Sequence, residues 1–193
     1  MNNIQTSGQL KFKKYKFVIL ILVFLIKLFP KFLRVLLWDL ILNYSQIFFI
    51  VIRYVIIKSM IKSCGDNVRV GENVRIINWD NLEIGNNVSI HTNSYIDAYG
   101  GIYIGSNVSI AHHCSIVSTN HKWDNDLIPI KYNNVSCNPV FIDDDVWIGA
   151  GCRILSGSKI EKRSILAAGA VLNTNVPMNS IYGGIPAKLI KFI

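Results

Sequence analysis

Aliphatic residues recur six apart along most of this chain. Ile84, Ile90, Ile96 and Ile102 form one run. Ile104, Ile110 and Ile116 form a second, two residues out of phase. Ile142, Ile148, Ile154, Ile160, Leu166 and Leu172 form a third. The segment LEIGNNVSI from Leu82 nearly repeats as IYIGSNVSI from Ile102. A sustained period of six fits neither an amphipathic helix nor the two-residue alternation of a sandwich strand. It predicts a parallel β-solenoid, in which each unit supplies a short strand and a corner and three units close a coil of about 18 residues. The ladder aliphatics point inward. Gly71, Gly85, Gly105 and Gly149 follow ladder positions, and Asn or Asp stands nearby, residue types suited to tight corners. The phase shift between Ile102 and Ile104 is a two-residue insertion at the corner Gly100-Gly101.

A narrow coil needs a small inward residue beside each large one. Ser94, Gly100, Cys114, Cys152, Ser158, Ser164 and Ala170 each stand two residues before a ladder position. Cys114 and Cys152 are therefore expected to fill space. The four cysteines, with Cys64 and Cys137, lack metal-site spacing, and nothing in their arrangement asks for an oxidising compartment.

The ladder does not reach the N-terminal third. Residues 1–65 hold ten Lys or Arg and one acid, Asp39, whereas residues 66–193 hold ten and eleven. The net charge of +8 thus belongs to the N-terminal end. Basic charge mixed with long apolar runs suits an anionic membrane surface, and no nucleic-acid reader motif or stacking platform accompanies it. The division expected is 1–63, a basic, apolar helical membrane-associating segment; 64–176, a β-helix with an inserted loop at 118–140; and 177–193, a C-terminal tail.

Phe17–Phe29 is too short to span a bilayer comfortably. Val35–Ile57 is long enough, but Asp39, Asn43, Gln46 and Arg53 would form one polar stripe on a helix. Basic residues flank both sides of the first stretch, against the positive-inside tendency, and no small-residue cleavage site marks a secretory signal. Helices lying in the membrane plane fit this pattern. A spanning segment and an apolar cap buried in an oligomer are the alternatives.

After Ile116 the ladder should continue at residue 122 but resumes at Ile142. A long loop inside a compact solenoid usually serves function. It opens with His121, followed by Trp123, Asp124 and Asp126. Histidine, whose ordinary pKa lies near neutrality, is well suited to act as a general base where a rigid scaffold meets a loop. Taken alone, a loop histidine is more often a solvated surface residue.

The ladder, the loop opening STNH, the return VWIGAGCRIL and the tail AAGAVL…NVP…YGGIPAKLIK occur in order with compatible spacing. Together they resemble the hexapeptide-repeat acyltransferases, in particular the maltose, galactoside and polysaccharide O-acetyltransferases, over about residues 66–193. The resemblance implies an all-β fold, a left-handed parallel β-helix, to which the pattern of residues 1–63 adds an α-helical apolar N-terminal segment. It implies a homotrimer with active sites between subunits and acetyl-CoA as donor. His121 matches the family's catalytic base. Trp147, Ala150, Ala168, Lys188 and Lys191 match positions at the coenzyme: the tryptophan beside the pantetheine region, the alanines against the pantetheine arm, the lysines near the phosphates. Asn173 and Thr174 stand where the family often has Thr-Lys, so the cofactor side carries one charge fewer. Near the acceptor, Asn93 is retained, His91 replaces a usual Asn, and Tyr99 stands where a related branch has an acid.

The function so implied is acetyl-CoA-dependent O-acetylation of a sugar or glycan precursor, free or lipid-linked. The expected location is the cytoplasmic face of the plasma membrane, with no metal and no nucleic acid. N-acetylation of an amino sugar, acetylation of serine, and a non-catalytic trimeric scaffold at the membrane are the alternatives. A zinc site from His112, His113 and His121 has the wrong spacing.

Overall fold

The computed structural model describes residues 7–193; residues 1–6 of the expected N-terminal segment lie outside the described residues. Three helices come first, α1 (Ser7–Lys27), α2 (Lys31–Leu40) and α3 (Ile47–Met60). Short parallel strands then wind into a left-handed parallel β-helix of three faces. Face 1 stacks Ser63–Cys64, Leu82–Ile84, Ile102–Ile104, Val140–Ile142, Lys159–Ile160 and Asn175–Val176. Face 2 runs from Arg69–Val70 through Trp147–Ile148 to Ser180–Gly183, and face 3 from Arg75–Ile77 through Ser115–Val117 to Val171–Leu172.

Every ladder aliphatic is buried, so the six-residue period is the period of the core. Its stacking removes about 1.5–3 kcal/mol worth of apolar surface per large side chain. Ser94, Cys114, Cys152, Ser158, Ser164 and Ala170 are buried beside it as the small partners. Gly100 differs: it sits at a corner, where its N–H donates to Ser118 Oγ at 2.8 Å. Coil length is not uniform. Ile84 pairs with Ile104 and Ile90 with Ile110, twenty residues on, whereas Ile142 pairs with Ile160 and Ile148 with Leu166, eighteen on. The early coils spend their extra residues at the corner between faces 3 and 1, as the 3-10 turn Trp79–Asn81 and as Gly100-Gly101.

The corners explain the asparagines. Asn67, Asn87 and Asn107 hold the left-handed backbone conformation at the corner between faces 1 and 2, and Asn73, Asn93 and His113 hold it between faces 2 and 3. Asparagine tolerates that conformation better than most residues. At the first corner the amides also form a ladder, Asn67 Nδ2 to Asn87 Oδ1 at 3.1 Å and Asn87 Nδ2 to Asn107 Oδ1 at 3.0 Å.

The helices cap the first coil. Ile56 and Ile57 of α3 are fully buried, and Tyr54 Oη donates to Gly65 O at 2.9 Å. Lys16 pairs with Asp66 and Lys31 with Asp80, while Arg75 meets Asp39 at 3.3 Å. Trp38 packs edge-on against Trp79 at 5.0 Å. At the other end the strand Lys188–Phe192 turns back antiparallel to Ser180–Gly183 and closes face 2.

The polar stripe expected along one helix from Val35 to Ile57 does not exist. The chain breaks between α2 and α3, so Asn43 lies in the turn and Gln46 caps α3. Arg53 is fully buried rather than interfacial, donating to Val70 O at 2.9 Å, Ile41 O at 3.2 Å and Tyr44 O at 2.8 Å. Tertiary hydrogen bonds, including Asn73 N–H to Leu42 O at 2.8 Å, hold this break against local helix propensity. Among the described residues no helix is long and apolar enough to cross a membrane.

Candidate active site

The inserted loop leaves the corner between faces 3 and 1. Its two legs, Thr119–His121 and Val135–Cys137, pair antiparallel, with His121 opposite Val135. Asn133 is buried inside the loop and pins it, accepting from Asn125 N–H at 3.3 Å and donating to Asn125 O at 3.0 Å and Ile128 O at 3.2 Å. The root is tied to the coils below and above. Ser118 Oγ donates to Asp97 O at 2.9 Å, Asn138 N–H donates to Ser118 O, and Gly157 N–H donates to Asn138 O. Gly100 is required there, because a Cβ at that position would sit 2.3 Å from Ser118 O.

His121 is therefore carried on a hydrogen-bonded hairpin while its imidazole is exposed and makes no hydrogen bond among the described residues. Tyr99, 57% exposed, stands on the same corner one coil earlier. Asn173 and Thr174, both exposed, follow Val171–Leu172 on this corner two coils later.

A second group occupies the corner between faces 2 and 3. His91 and Asn93 lie there in the second coil, Ala150 and Ala168 in the fourth and fifth. Successive corners bond directly: His113 N–H to Thr92 O at 3.0 Å, Gly151 N–H to His112 O at 2.9 Å, Gly169 N–H to Ala150 O at 2.8 Å. The backbone of Ala168 lies so close over Gly149 that a Cβ at 149 would be 2.5 Å from Ala168 N. Asn93 adopts φ +58, so the corner geometry by itself explains an asparagine at this position. Partial loss of solvent, then the charges of Arg69 and His112, hold His91 below the ordinary imidazole value, and its ring is neutral at neutral pH.

Trp147, Lys188 and Lys191 form a third group on face 2. Trp147 points outward between Ser109 and Ile165, 53% exposed, over a groove of about 270 Å³ that Asp145, Arg163 and Ile193 also line. Lys188 lies opposite Gly183 and Lys191 opposite Ile181, both exposed.

The fold thus gathers Trp147, Ala150, Ala168 and the two lysines along face 2 and its neighbouring corner. His121, Tyr99, Asn173 and Thr174 lie on a different corner. His112 and His113 sit with the alanines, on another corner from His121, and among the described residues no three His, Cys, Asp or Glu side chains converge as a metal-binding group.

Cys114 and Cys152 fill the inside of the coils, and Cys137 is exposed. Cys114 Sγ donates to Gly149 O at 3.2 Å and Cys152 Sγ to Ala167 O at 3.1 Å, both buried. A hydrogen bond with Cys152 and burial hold the Cys114 thiol far above its ordinary value, and burial pushes Cys64 up to about 12. Three features of this geometry escaped sequence reasoning: the Asn133 pin, the Arg53 clamp and the Asn67–Asn87–Asn107 ladder. The ladder had a signal in the recurrence of Asn every twenty residues, whereas the other two depend on tertiary partners far along the chain.

Residues 139–174, which include Trp147, Ala150 and Ala168, match the family described as bacterial transferase hexapeptide (six repeats). The match falls on the later coils of the β-helix. A relative from Staphylococcus aureus, 2,3,4,5-tetrahydropyridine-2,6-dicarboxylate N-acetyltransferase, is 48% identical over 56 residues, which is 29% of this chain and 23% of the relative. The chain therefore spans less than a quarter of the curated relatives it first matches. Among solved structures, a maltose O-acetyltransferase from Clostridium difficile is similar at 27% identity and a TM-score of 0.74, covering 84% of this chain and 86% of that one. A hexapeptide-repeat acetyltransferase from Vibrio cholerae, in complex with acetyl coenzyme A, is similar at 26% identity and a TM-score of 0.73, covering 82% and 85%.

Proposed function

We propose that this protein transfers an acetyl group from acetyl-CoA to a hydroxyl of a sugar or glycan precursor, with His121 as general base. The observation that carries this is the unpartnered imidazole of His121 on a pinned hairpin, in a fold shared with acetyltransferases. The Nε2 or Nδ1 lone pair takes the acceptor's hydroxyl proton as the oxygen attacks the thioester carbonyl. The tetrahedral oxyanion then collapses, the C–S bond breaks, and the coenzyme thiolate takes the proton back from the imidazolium. No bond to the enzyme forms. Such a base contributes typically 10²–10⁴-fold.

His121 and the face-2 group occupy different corners of one prism, so a complete site needs two copies set side by side. A homotrimer, with the hairpin of one subunit reaching the alanine corner of the next, meets that need and agrees with the closed rotational symmetry common in oligomers. Ala150 and Ala168 offer a surface low enough for a pantetheine arm. Lys188 and Lys191 face its phosphates, with Asn173 and Thr174 nearer the hairpin corner. His91, Asn93 and Tyr99 would contact the acceptor.

The two lysines are exposed, so their contribution is modest. Lys188→Gln and Lys191→Gln are each expected to raise the KM for acetyl-CoA about two- to fivefold with kcat unchanged, an effect that shrinks as salt is raised. A kcat change at constant KM would remove them from the coenzyme site.

In this reading the enzyme works at a cytoplasmic membrane surface, and the composition of its helices supports it. Phe17, Phe24, Phe32, Leu40 and Phe48 are exposed on them, and Leu28 in the turn after α1, beside Lys13, Lys14 and Lys27. Apolar side chains fringed by lysine suit an anionic bilayer and an acceptor carried on a lipid. Purified full-length protein, labelled acetyl-CoA and a panel of sugars and lipid-linked sugars test the activity; no transfer to any hydroxyl overturns it. The N-acetyltransferase name of the Staphylococcus aureus relative favours a second reading, transfer to an amine, which base-stable label in an amino-sugar product would establish.

A further inference from the structure

Where the end of α1 meets α2, an apolar cleft of about 290 Å³ is lined by Ile26, Phe29, Leu33, Leu36, Leu37 and Leu40, and Arg34 opens into it. Arg34 Nη1 donates to Ser59 O in the last turn of α3. The guanidinium makes no other hydrogen bond among the described residues, and because its Nε is walled off from solvent, a ligand in the cleft meets its Nη edge. A guanidinium donor in apolar surroundings without an acceptor is costly, and a phosphate oxygen is its best-matched partner. Lys27, at the end of α1, is exposed and has no ion-pair partner among the described residues, while the single acid of the helices, Asp39, is engaged by Arg75.

We infer that this cleft is a binding site for an anionic phospholipid, with the phosphate on Arg34 and the upper part of one acyl chain along Leu33, Leu36 and Leu37. The inference rests on the membrane reading of the helices and deepens it from a surface to a site. The apolar lining argues against free phosphate. The excess of basic charge argues against a second copy of the same helices, which would bring like charges together. Because Ser59 lies just before the first strand, a lipid held by Arg34 fixes how the prism stands on the membrane.

Arg34→Lys separates a site from a charge. The variant keeps the charge but loses the planar fork. Flotation of the full-length chain with phosphatidylglycerol/phosphatidylcholine vesicles should show at least about a tenfold weaker binding for Arg34→Lys, against about fivefold or less for Lys14→Gln, the loss expected of one non-specific charge. Wild-type binding with Arg34→Lys unchanged overturns the site and leaves the membrane reading intact. No vesicle binding by the wild type overturns both. Should Arg34→Lys melt early, wild-type calorimetry decides. A soluble short-chain phosphatidic acid should bind at one equivalent per subunit while inorganic phosphate does not. Equal binding of the two, or binding of neither, overturns the site.

Discussion

His121→Ala should lower the rate of acetyl transfer by about 10²–10⁴-fold while leaving the fold intact. The stability half of this expectation follows from the hairpin. His121 pairs with Val135 through its backbone, which alanine preserves, and its exposed ring makes no hydrogen bond among the described residues. The melting midpoint should therefore stay within the experimental scatter of the wild type. The catalytic half follows from differential stabilisation: a base acts as the proton leaves the acceptor and contributes little to binding acetyl-CoA beforehand. The loss should fall on kcat and on kcat/KM together, with the KM for acetyl-CoA little changed. Release of coenzyme thiol, followed with and without acceptor, measures both. A variant within threefold of wild type removes His121 from the chemistry. A loss confined to KM would make it a binding residue instead.

Arg53→Met should cost about 3–5 kcal/mol, the largest single-residue loss of stability expected in the helical cap. Methionine keeps much of the aliphatic stem but none of the donors. The carbonyls of Val70 in the first coil and Tyr44 in the turn between α2 and α3 then lose the arginine donor, and Ile41 O keeps only the Tyr44 N–H at 3.3 Å. Hydrogen bonds from a charged donor contribute about 1.5–3 kcal/mol each, and buried carbonyls left without one are penalised further. Burial draws the Arg53 pKa downward, yet arginine starts so high that the group stays charged at neutral pH. Urea denaturation measures the loss, and limited proteolysis should show earlier cutting between Ile41 and Gln46. A loss under about 1 kcal/mol would show that the cap does not depend on this clamp.

The two residues also mark where the sequence was transparent and where it was opaque. Coils stack in register, so each inward slot repeats at a fixed interval and the aliphatic at Ile84 announces those at Ile90 and Ile96. The break at residue 122 was visible for the same reason, and with it His121. Arg53 was opaque. Its place among Asn43 and Gln46 suggested a polar stripe, because helical periodicity registers residue type but not the distant carbonyls of Val70 and Tyr44 that interrupt the helix. The division of the candidate residues between two corners was legible only in part. Position within the six-residue unit assigns a face, whereas the direction taken by the hairpin depends on Asn133 and on the root contacts of Ser118 and Asn138. The alanine corner and the lysines came from resemblance, since no periodicity distinguishes an alanine beside a coenzyme from one beside solvent.

The reversed strand Lys188–Phe192 has a consequence apart from the coenzyme. A stack of parallel coils is a growing template: its last rung offers unpaired N–H and C=O groups that the first rung of another molecule can satisfy. Here α3 covers the first rung, and on face 2 the last rung is answered by a strand running the opposite way, whose outer edge carries Lys188 and Lys191. Antiparallel direction and paired positive charge make that edge a poor match for a parallel newcomer. The same two lysines proposed to hold phosphate would then also stop the protein from polymerising end to end into fibres.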